Sequence, residues 1–554
     1  MTTIEEELSE SGTSGVATAT ATATALIPRP RQARRDSVKE PIPSRLPEPP
    51  SDAETRFYDG RNRKLLMRVS VGSFLVLTIS QVRFVITDKP LLVLAPFFTF
   101  TVLYYVISLW VNVGTKDFDL AEHDRLVAEW RPETHPSLDV FLPICREDIE
   151  VLSNTWTGVY ELLHAYPGLC NVYVLDDGGD PEAARIAADF GFTYLSRPLE
   201  GENPRGWFKK AGNLRYGFAQ SRGEFVLVLD ADFVPRADLP MNLLPYMEAD
   251  PRLGIVQSPQ FFRTHKGQTR MERGAGAVQE LFYRLVQVSR DQRAGAICVG
   301  SCAIYRREAL EANGGATLIG HSEDVHTGFD LRRQGWNLRY VPVPLAAGVC
   351  PDTPDSFFVQ QYRWCMGSMD LLRHPKFWRH KLKLRTRCCY FSGFCYYLHT
   401  AVFTVVTPLI PLTMLLFLPN HVRLINYIFI APSLIYNILI FPLWHRCRFG
   451  PSAYMAKLIY GWAHLFAIYD LLRGRPMGWK PTNSRSSATK NRRLWLGVWG
   501  WSGGTCAVWI AAAAWRTVFG GAQFLPMLVL GALNMWIVVL ALVSRREQAP
   551  GGTD

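Results

Sequence analysis

Four short clusters in this 554-residue chain carry side chains able to do chemistry. The apolar run Val172–Leu175 leads into Asp176-Asp177-Gly178-Gly179, and Phe225–Leu229 leads into Asp230-Ala231-Asp232. Further along come Ser322-Glu323-Asp324, ahead of the helical pattern His326–Arg333, and then Gln360-Gln361-Tyr362-Arg363-Trp364. Two carboxylates in D-x-D spacing can approach one hard cation that also takes diphosphate oxygens. Such an ion neutralises the charge that builds on a departing diphosphate, and a fixed arginine or lysine does the same. Each cluster also has a plain structural alternative. These are capping or turn aspartates for the first two and a serine N-cap with first-turn acids for the third. For Arg363 the alternative is an ion pair, and for Trp364 anchoring at a membrane interface. Two acidic clusters at consecutive strand ends favour the chemical reading.

The elements that must position these residues are legible from periodicity. Leu138–Leu142, Asn171–Leu175 and Phe225–Leu229 are short, apolar and β-rich, with helical patterns at Glu182–Phe190 and Lys210–Ala219 between them. Over the block Pro136–Asp370 this alternation predicts a parallel sheet covered by helices. In such sheets the ligand crevice lies beyond the carboxyl ends of the strands, where both aspartate clusters fall.

Long apolar runs flank that block. Val69–Ile86, Leu91–Val113, Thr400–Leu418, Ile425–Leu443, Leu494–Trp515 and Phe524–Val543 are each long enough to cross about 30 Å of hydrocarbon. A seventh run, Tyr454–Leu472, has basic flanks on both sides (Arg446 and Arg448; Arg473 and Arg475) and contains Lys457, His464 and Asp470. Equal positive charge at both ends argues against a crossing and for a helix lying in the interface. The basic run Leu372–Arg387 reads as a second interfacial helix. Six crossings then place both termini and the central block in the cytosol. The net charge of +11 sits beside the spans, at Arg61, Arg63, Lys64 and Arg68 and at Lys490, Arg492 and Arg493, which fits membrane orientation rather than nucleic-acid binding. Eleven scattered cysteines without a C-x-x-C pair exclude a zinc or disulfide framework of the usual spacing. Residues 1–57, with an Ala-Thr tract and a Pro- and Arg-rich stretch, are expected to be disordered.

Order and spacing of the four clusters resemble the family 2 processive glycosyltransferases, the cellulose synthase-like group, over about Arg61–Val543. The resemblance rests on Asp-Asp-Gly, D-x-D, [T/S]-E-D and Q-x-x-R-W. Lys209-Lys210-Ala211-Gly212-Asn213 and Val256-Gln257-Ser258-Pro259 stand where that family has connecting motifs. It implies an α/β glycosyltransferase-A-type (Rossmann-like) cytosolic domain inserted in a six-helix transmembrane domain with interfacial helices. The boundaries are a tail at 1–57, two spans in 58–115, the catalytic domain at 116–371 and an interfacial region at 372–399. Two spans in 400–443, a second interfacial helix with a basic loop in 444–493, two spans in 494–543 and a tail at 544–554 complete the chain.

By the same resemblance, Asp177 contacts the uridine of the donor, and Asp230 and Asp232 hold the nucleotide and its Mg²⁺ or Mn²⁺. Lys210 and Arg363 contact the diphosphate, with Gln360 beside them, and Asp324 is the general base. Trp364 stacks on the terminal sugar of the acceptor, next to Glu323. The implied reaction is a single inverting displacement on UDP-glucose that builds a β-glucan, either cellulose or a mixed β-1,3 and β-1,4 polymer, and passes it across the inner membrane. The alternative is a non-processive membrane enzyme that adds one sugar to a lipid or another acceptor. Three stretches depart from the cellulose-making pattern. Ile297-Cys298-Val299-Gly300-Ser301 replaces Phe-Phe-Cys-Gly-Ser, Phe233 follows D-x-D where some members have His, and Pro476–Thr482 replaces a gating Phe-x-Val-Thr-x-Lys.

Overall fold

In the computed structural model, residues 46–59, 62–87, 89–198, 208–475, 477 and 491–547 are described. The apolar runs of the central block form a seven-stranded mixed sheet in the order β3-β2-β1-β4-β8-β6-β9. Its strands are β1 (Leu138–Ile144), β2 (Cys170–Asp176), β3 (Thr193–Ser196), β4 (Phe225–Val228), β6 (Leu253–Gln257), β8 (Ala303–Arg306) and β9 (Asn337–Tyr340). β1 pairs in parallel with β2 and β4, and β2 with β3; β8 runs antiparallel between β4 and β6. Every residue of β1 and β4 is buried, as expected of strands covered on both faces. A second, three-stranded sheet has β10 (Ala346–Gly348) between β5 (Phe233–Pro235) and β7 (Phe261–Phe262). Strand order reverses at β1: β2 and β3 lie on one side, β4 on the other. That reversal opens a crevice at the carboxyl ends of β1, β2 and β4.

Among the described residues, five helical segments are long and apolar enough to cross a membrane: 63–87, 91–112, 384–416, 424–444 and 522–545. The first is 25 residues, about 37 Å at 1.5 Å per residue, more than the hydrocarbon thickness. The third begins at Leu384, so the expected interfacial region 372–399 is replaced. In its place are the end of a helix (Pro354–Arg373), a five-residue helix (Pro375–Arg379) and the first half of the 384–416 span. The reason is Tyr390 and Phe394, which are buried, pack on Phe329 and Phe377, and extend the helix below the apolar run. The expected span Leu494–Trp515 lies in one continuous helical run, Arg492–Trp495, Leu496–Gly503 and Gly504–Gly520, whose middle part is wound as a π-helix. It is not among the five, because Trp, Gly, Ser and Thr dilute its apolar content.

The helix Pro451–Leu472 is also outside the five. Two of its polar residues, however, face protein rather than an interface. His464 Nδ1 is 2.6 Å from Thr400 Oγ1, and Asp470 accepts from Arg493 at 2.8 Å and from Tyr362 OH at 3.0 Å.

The N-terminal boundary also moves. Residues 1–45 lie outside the described residues, but 46–57 form a strap on the central block instead of a disordered tail. Asp52 pairs with Arg236 at 2.9 Å and Glu54 with Arg263 at 2.7 Å, while Asn154 donates to Pro47 O at 2.8 Å. Tyr58 is 3% exposed and packs edge-on to Phe261. Composition misleads here because acidic and proline residues find their partners far away in sequence.

Candidate active site

β2 ends at Asp176, and the two aspartates there do different work. Asp176 is a turn residue: its carboxylate accepts from Gly178 N at 2.5 Å, Asp180 N at 2.8 Å and Tyr194 OH at 2.6 Å. Asp177 faces the crevice, and both of its oxygens accept from Arg197, at 2.6 and 2.9 Å. Burial raises the Asp177 pKa while the Arg197 guanidinium opposes the rise. Arg197 was not among the residues singled out by sequence, since a bidentate partner 20 positions away leaves no local pattern.

At the end of β4, Asp230 is fixed through its backbone N–H, which donates to Ser301 Oγ at 2.9 Å. Its carboxylate forms an ion pair with Lys210, the second residue of the helix Lys209–Gln220. Lys210 also donates to Gly300 O at 3.0 Å and lies 3.6 Å from Glu323. Burial opposes the Lys210 charge, but Asp230 and Glu323 more than offset it and hold the ammonium firmly protonated. Asp232 makes no ion pair among the described residues, though Lys210 draws its pKa down in part. Burial first, and then the Asp230 charge, push its pKa up to about 7.

Glu323 and Asp324 open the helix Glu323–Arg333. Ser322 does not cap it: its side chain makes no cap bond and its backbone is left-handed, with φ of 50°. The plain N-cap account of this tripeptide therefore fails. Ser322 is instead pressed against the Pro354–Arg373 helix, where a Cβ at Gly367 would come within 2.1 Å of Ser322 Oγ. From the other side, Gly300, at φ of +75°, lies so close that an added Cβ would be 2.8 Å from Asp324 Oδ2. Burial and then the Glu323 charge raise the Asp324 pKa to about 7.

Gln360, Arg363 and Trp364 come from the Pro354–Arg373 helix and line the same cavity. Burial lowers the Arg363 pKa, while Asp230, Glu323 and Asp232 draw it up, so the guanidinium faces the carboxylates. Tyr362, one residue earlier, points away and accepts from Met477 N at 2.9 Å. Beyond Met477 the stretch 478–490 lies outside the described residues, as does Pro476. Every residue singled out by sequence, namely Asp177, Lys210, Asp230, Asp232, Glu323, Asp324, Gln360, Arg363 and Trp364, lines one cavity of about 1380 Å³.

Two further ionisable groups in that wall escaped sequence reasoning. Glu147, just past β1, is raised to about 7 by burial and then softened by the amides of Cys145 and of its own backbone. His321 is lowered to about 4 by burial and then by Lys209 and Arg363, so its ring is neutral at pH 7. A Glu-Asp tract after β1 was the available signal.

The cavity continues past the carboxylates into the apolar helices. Tyr104, Tyr396, Tyr397, His399, Tyr460 and Trp509 line its far part. Tyr104 stacks on His399 with ring centroids 4.6 Å apart, and Tyr397 meets His464 edge-on at 4.8 Å.

A family model described as glycosyl transferase family group 2 matches residues 225–443. Over 294 residues, 52% of this chain, the sequence is 32% identical to Cellulose synthase 1 of Komagataeibacter xylinus, covering 18% of that protein. It is 31% identical over 340 residues to a Cellulose synthase 1 catalytic subunit [UDP-forming] of the same organism, covering 60% of this chain and 43% of the relative. A cellulose synthase catalytic subunit of Xanthomonas axonopodis pv. citri is 30% identical over 54% of this chain and 40% of its own length. The chain thus spans less than half the length of these curated relatives. Among solved structures, a mannosyltransferase of Pyrobaculum calidifontis in complex with GDP-Man and Mn2+ is similar at a TM-score of 0.45 and 17% identity, over 68% of this chain and 98% of that one.

Proposed function

We propose that this chain, similar over 52–60% of its length to cellulose synthases, is a cellulose synthase-like family 2 glycosyltransferase that polymerises glucose from UDP-glucose into a β-glucan and conducts the product across the membrane. One observation carries this reading: the cavity that holds the carboxylates and cations runs on, without a break in its lining, among the apolar helices.

In this reading the donor lies across the carboxyl ends of β2 and β4. Asp177, held by Arg197, presents fixed acceptors to the base, and Lys210 and Arg363 flank the diphosphate. Preorganised cations there stabilise the leaving group without reorganising during the reaction. Asp230 and Asp232 fit a divalent ion. Together they offer two carboxylates, and burial and then the Asp230 charge raise the Asp232 pKa to about 7. Mg²⁺ and Mn²⁺ sites commonly use one or two carboxylates and fill the rest with water and phosphate oxygens. Among the described residues no group of three or more His, Cys, Asp or Glu could hold a metal by itself, which agrees with a site completed by the donor. When bound, the ion supplies charge neutralisation on the departing diphosphate.

Asp324 takes the proton of the acceptor hydroxyl. Its pKa near 7 suits a base that must be ionised at neutral pH yet hold a proton well enough to pull it. Attack from the Asp324 side on a donor anchored at Asp230 displaces UDP in one step and inverts the anomeric centre. Trp364 offers a flat face to the acceptor's terminal sugar, beside Glu323. The sixth crossing is assigned to the 492–520 run, which packs against the 522–545 and 384–416 segments, and six crossings leave the catalytic block and both ends in the cytosol.

Purified protein supplied with Mn²⁺ or Mg²⁺ and a panel of UDP-sugars tests the proposal, with linkage-specific digestion of the product. Long glucan from UDP-glucose supports it. Transfer of one sugar per acceptor, or polymer from another sugar only, refutes it.

A further inference from the structure

Lys457 occupies an unusual place on the helix Pro451–Leu472. Its Nζ lies 5.1 Å from the ring centre of Phe441, 4.9 Å from that of Phe449 and 5.4 Å from that of Tyr454. Among the described residues it makes no ion pair and no hydrogen bond. Glu280, a buried acid of the neighbouring Arg270–Leu281 helix, is committed elsewhere: it pairs with Arg284 at 2.8 Å and accepts from the backbone N–H groups of Arg446 and Cys447. Rings attract a cation, but they replace only part of the hydration an ammonium loses on burial. A lysine so placed lacks an anion.

Lys457 also borders open space. It lines the cavity together with Phe449, Gly450, Pro451 and Tyr454 of its own segment. Gly450 offers no side chain to cap the helix, so the positive end of the helix dipole faces the same space. Across from it stand Met67 and Ser70 of the 63–87 span and Asn437 of the 424–444 span. Those two spans are the least buried of the five, with 6% of each apolar window inside the protein, so their outer faces are left to acyl chains. Tyr454 closes the rim by donating to Asn437 O at 2.5 Å.

We propose that this corner is a subsite for the phosphate of an anionic lipid, with Lys457 and the 451–472 helix end as its cationic wall and the flanking spans as a bed for the chains. The corner is built from none of the active-site carboxylates, although it borders the same cavity, and its test reads binding, not sugar transfer. Its failure therefore leaves the proposed polymerase activity untouched.

Full-length protein in a neutral detergent is titrated with dihexanoyl phosphatidic acid, dihexanoyl phosphatidylcholine and inorganic phosphate, with thermal shift and tryptophan fluorescence as readouts. The phosphatidic acid is expected to bind at least about tenfold more tightly than the other two, the loss expected on removing a charge-assisted contact or the chains. Lys457→Met, which keeps the side-chain bulk, is expected to lose at least about that factor, and Lys457→Arg to retain it. A Lys457→Met protein that elutes and melts like the parent and binds phosphatidic acid equally well overturns the subsite. Equal, Lys457-dependent binding of inorganic phosphate overturns the lipid assignment. Should Lys457→Met fail to fold, Lys457→Gln carries the same comparison.

Discussion

The two parts of the cavity are lined by different chemistry. Near the sheet it carries Asp177, Asp230, Asp232, Glu323 and Asp324 against Lys210 and Arg363. Among the apolar helices it carries tyrosines, tryptophans and histidines, Tyr104, Tyr396, His399, Tyr460 and Trp509 among them. The first set suits a reaction that leaves one further negative charge on a departing diphosphate. Deep charge wells would hinder passage of a neutral chain, and these ring side chains supply none, the Lys457 ammonium lying over the rings of Phe441 and Phe449 at one corner. Ring faces hold sugars through many weak, similar contacts, so each advance exchanges one contact for another of like strength. In the proposed reading, tight binding and chemistry are confined to the sheet edge, and passage is left to aromatic faces.

The largest effect is expected from Asp324→Asn. If the acid end alone does the chemistry, sugar transfer falls by about 10²–10⁴-fold while UDP binding stays within a few-fold; parent-like turnover in that variant would falsify the assignment. Next, Lys210→Met should lower the rate by about 10²–10³-fold, as for a lost leaving-group contact, with initial rates at saturating UDP-glucose as the measure. Chelation of divalent ions should give a loss of similar size that added Mn²⁺ or Mg²⁺ restores.

A third contrast concerns pH. Asp324 must be ionised to act and has a pKa near 7, so the rate should fall about tenfold per unit below roughly pH 6. The Glu323 charge contributes to that high value, so Glu323→Gln should move the acid limb to lower pH. A limb that stays put in Glu323→Gln, measured at saturating Mn²⁺, would assign the pH dependence to another group. The smallest effect is expected from the aromatic end. Tyr460→Ala should shorten the polymer or slow elongation by only a few-fold, leaving the first transfer intact. A collapse of first-transfer rate in that variant would erase the division between the two ends.

Much of the catalytic end was legible in the sequence because its residues sit at strand ends and helix starts, where periodicity changes. Asp177, Asp230 and Asp232 follow apolar β-rich runs, and Glu323 and Asp324 open a helix. What sequence could not give is the partner across space. Arg197 on Asp177, and Gly300 and Ser301 against Asp324 and Asp230, come from loops whose only constraint is proximity in the fold. Ile297–Ser301 was read as a departure from a motif. Its Gly300 proves to be the close-approach point beside Asp324, at a positive φ that favours glycine. The start of the third span was missed for a related reason. Tyr390 and Phe394 are amphipathic or aromatic residues that bury against protein, and a hydropathy scan cannot separate that burial from an interfacial stretch.

The strap at 46–59 bears on how the molecule is made. Glu54 and Arg263 lie 209 positions apart, with the first two membrane spans between them in sequence. During synthesis the strap leaves the ribosome before either span, yet its binding surface does not exist until Arg236 and Arg263 have been translated and the sheet has closed. It must therefore wait, unpaired, while the first hairpin enters the bilayer, and it docks late. A strap that fastens last works as a seal on a finished catalytic block, so its protection from protease should report completed assembly of that block rather than membrane insertion.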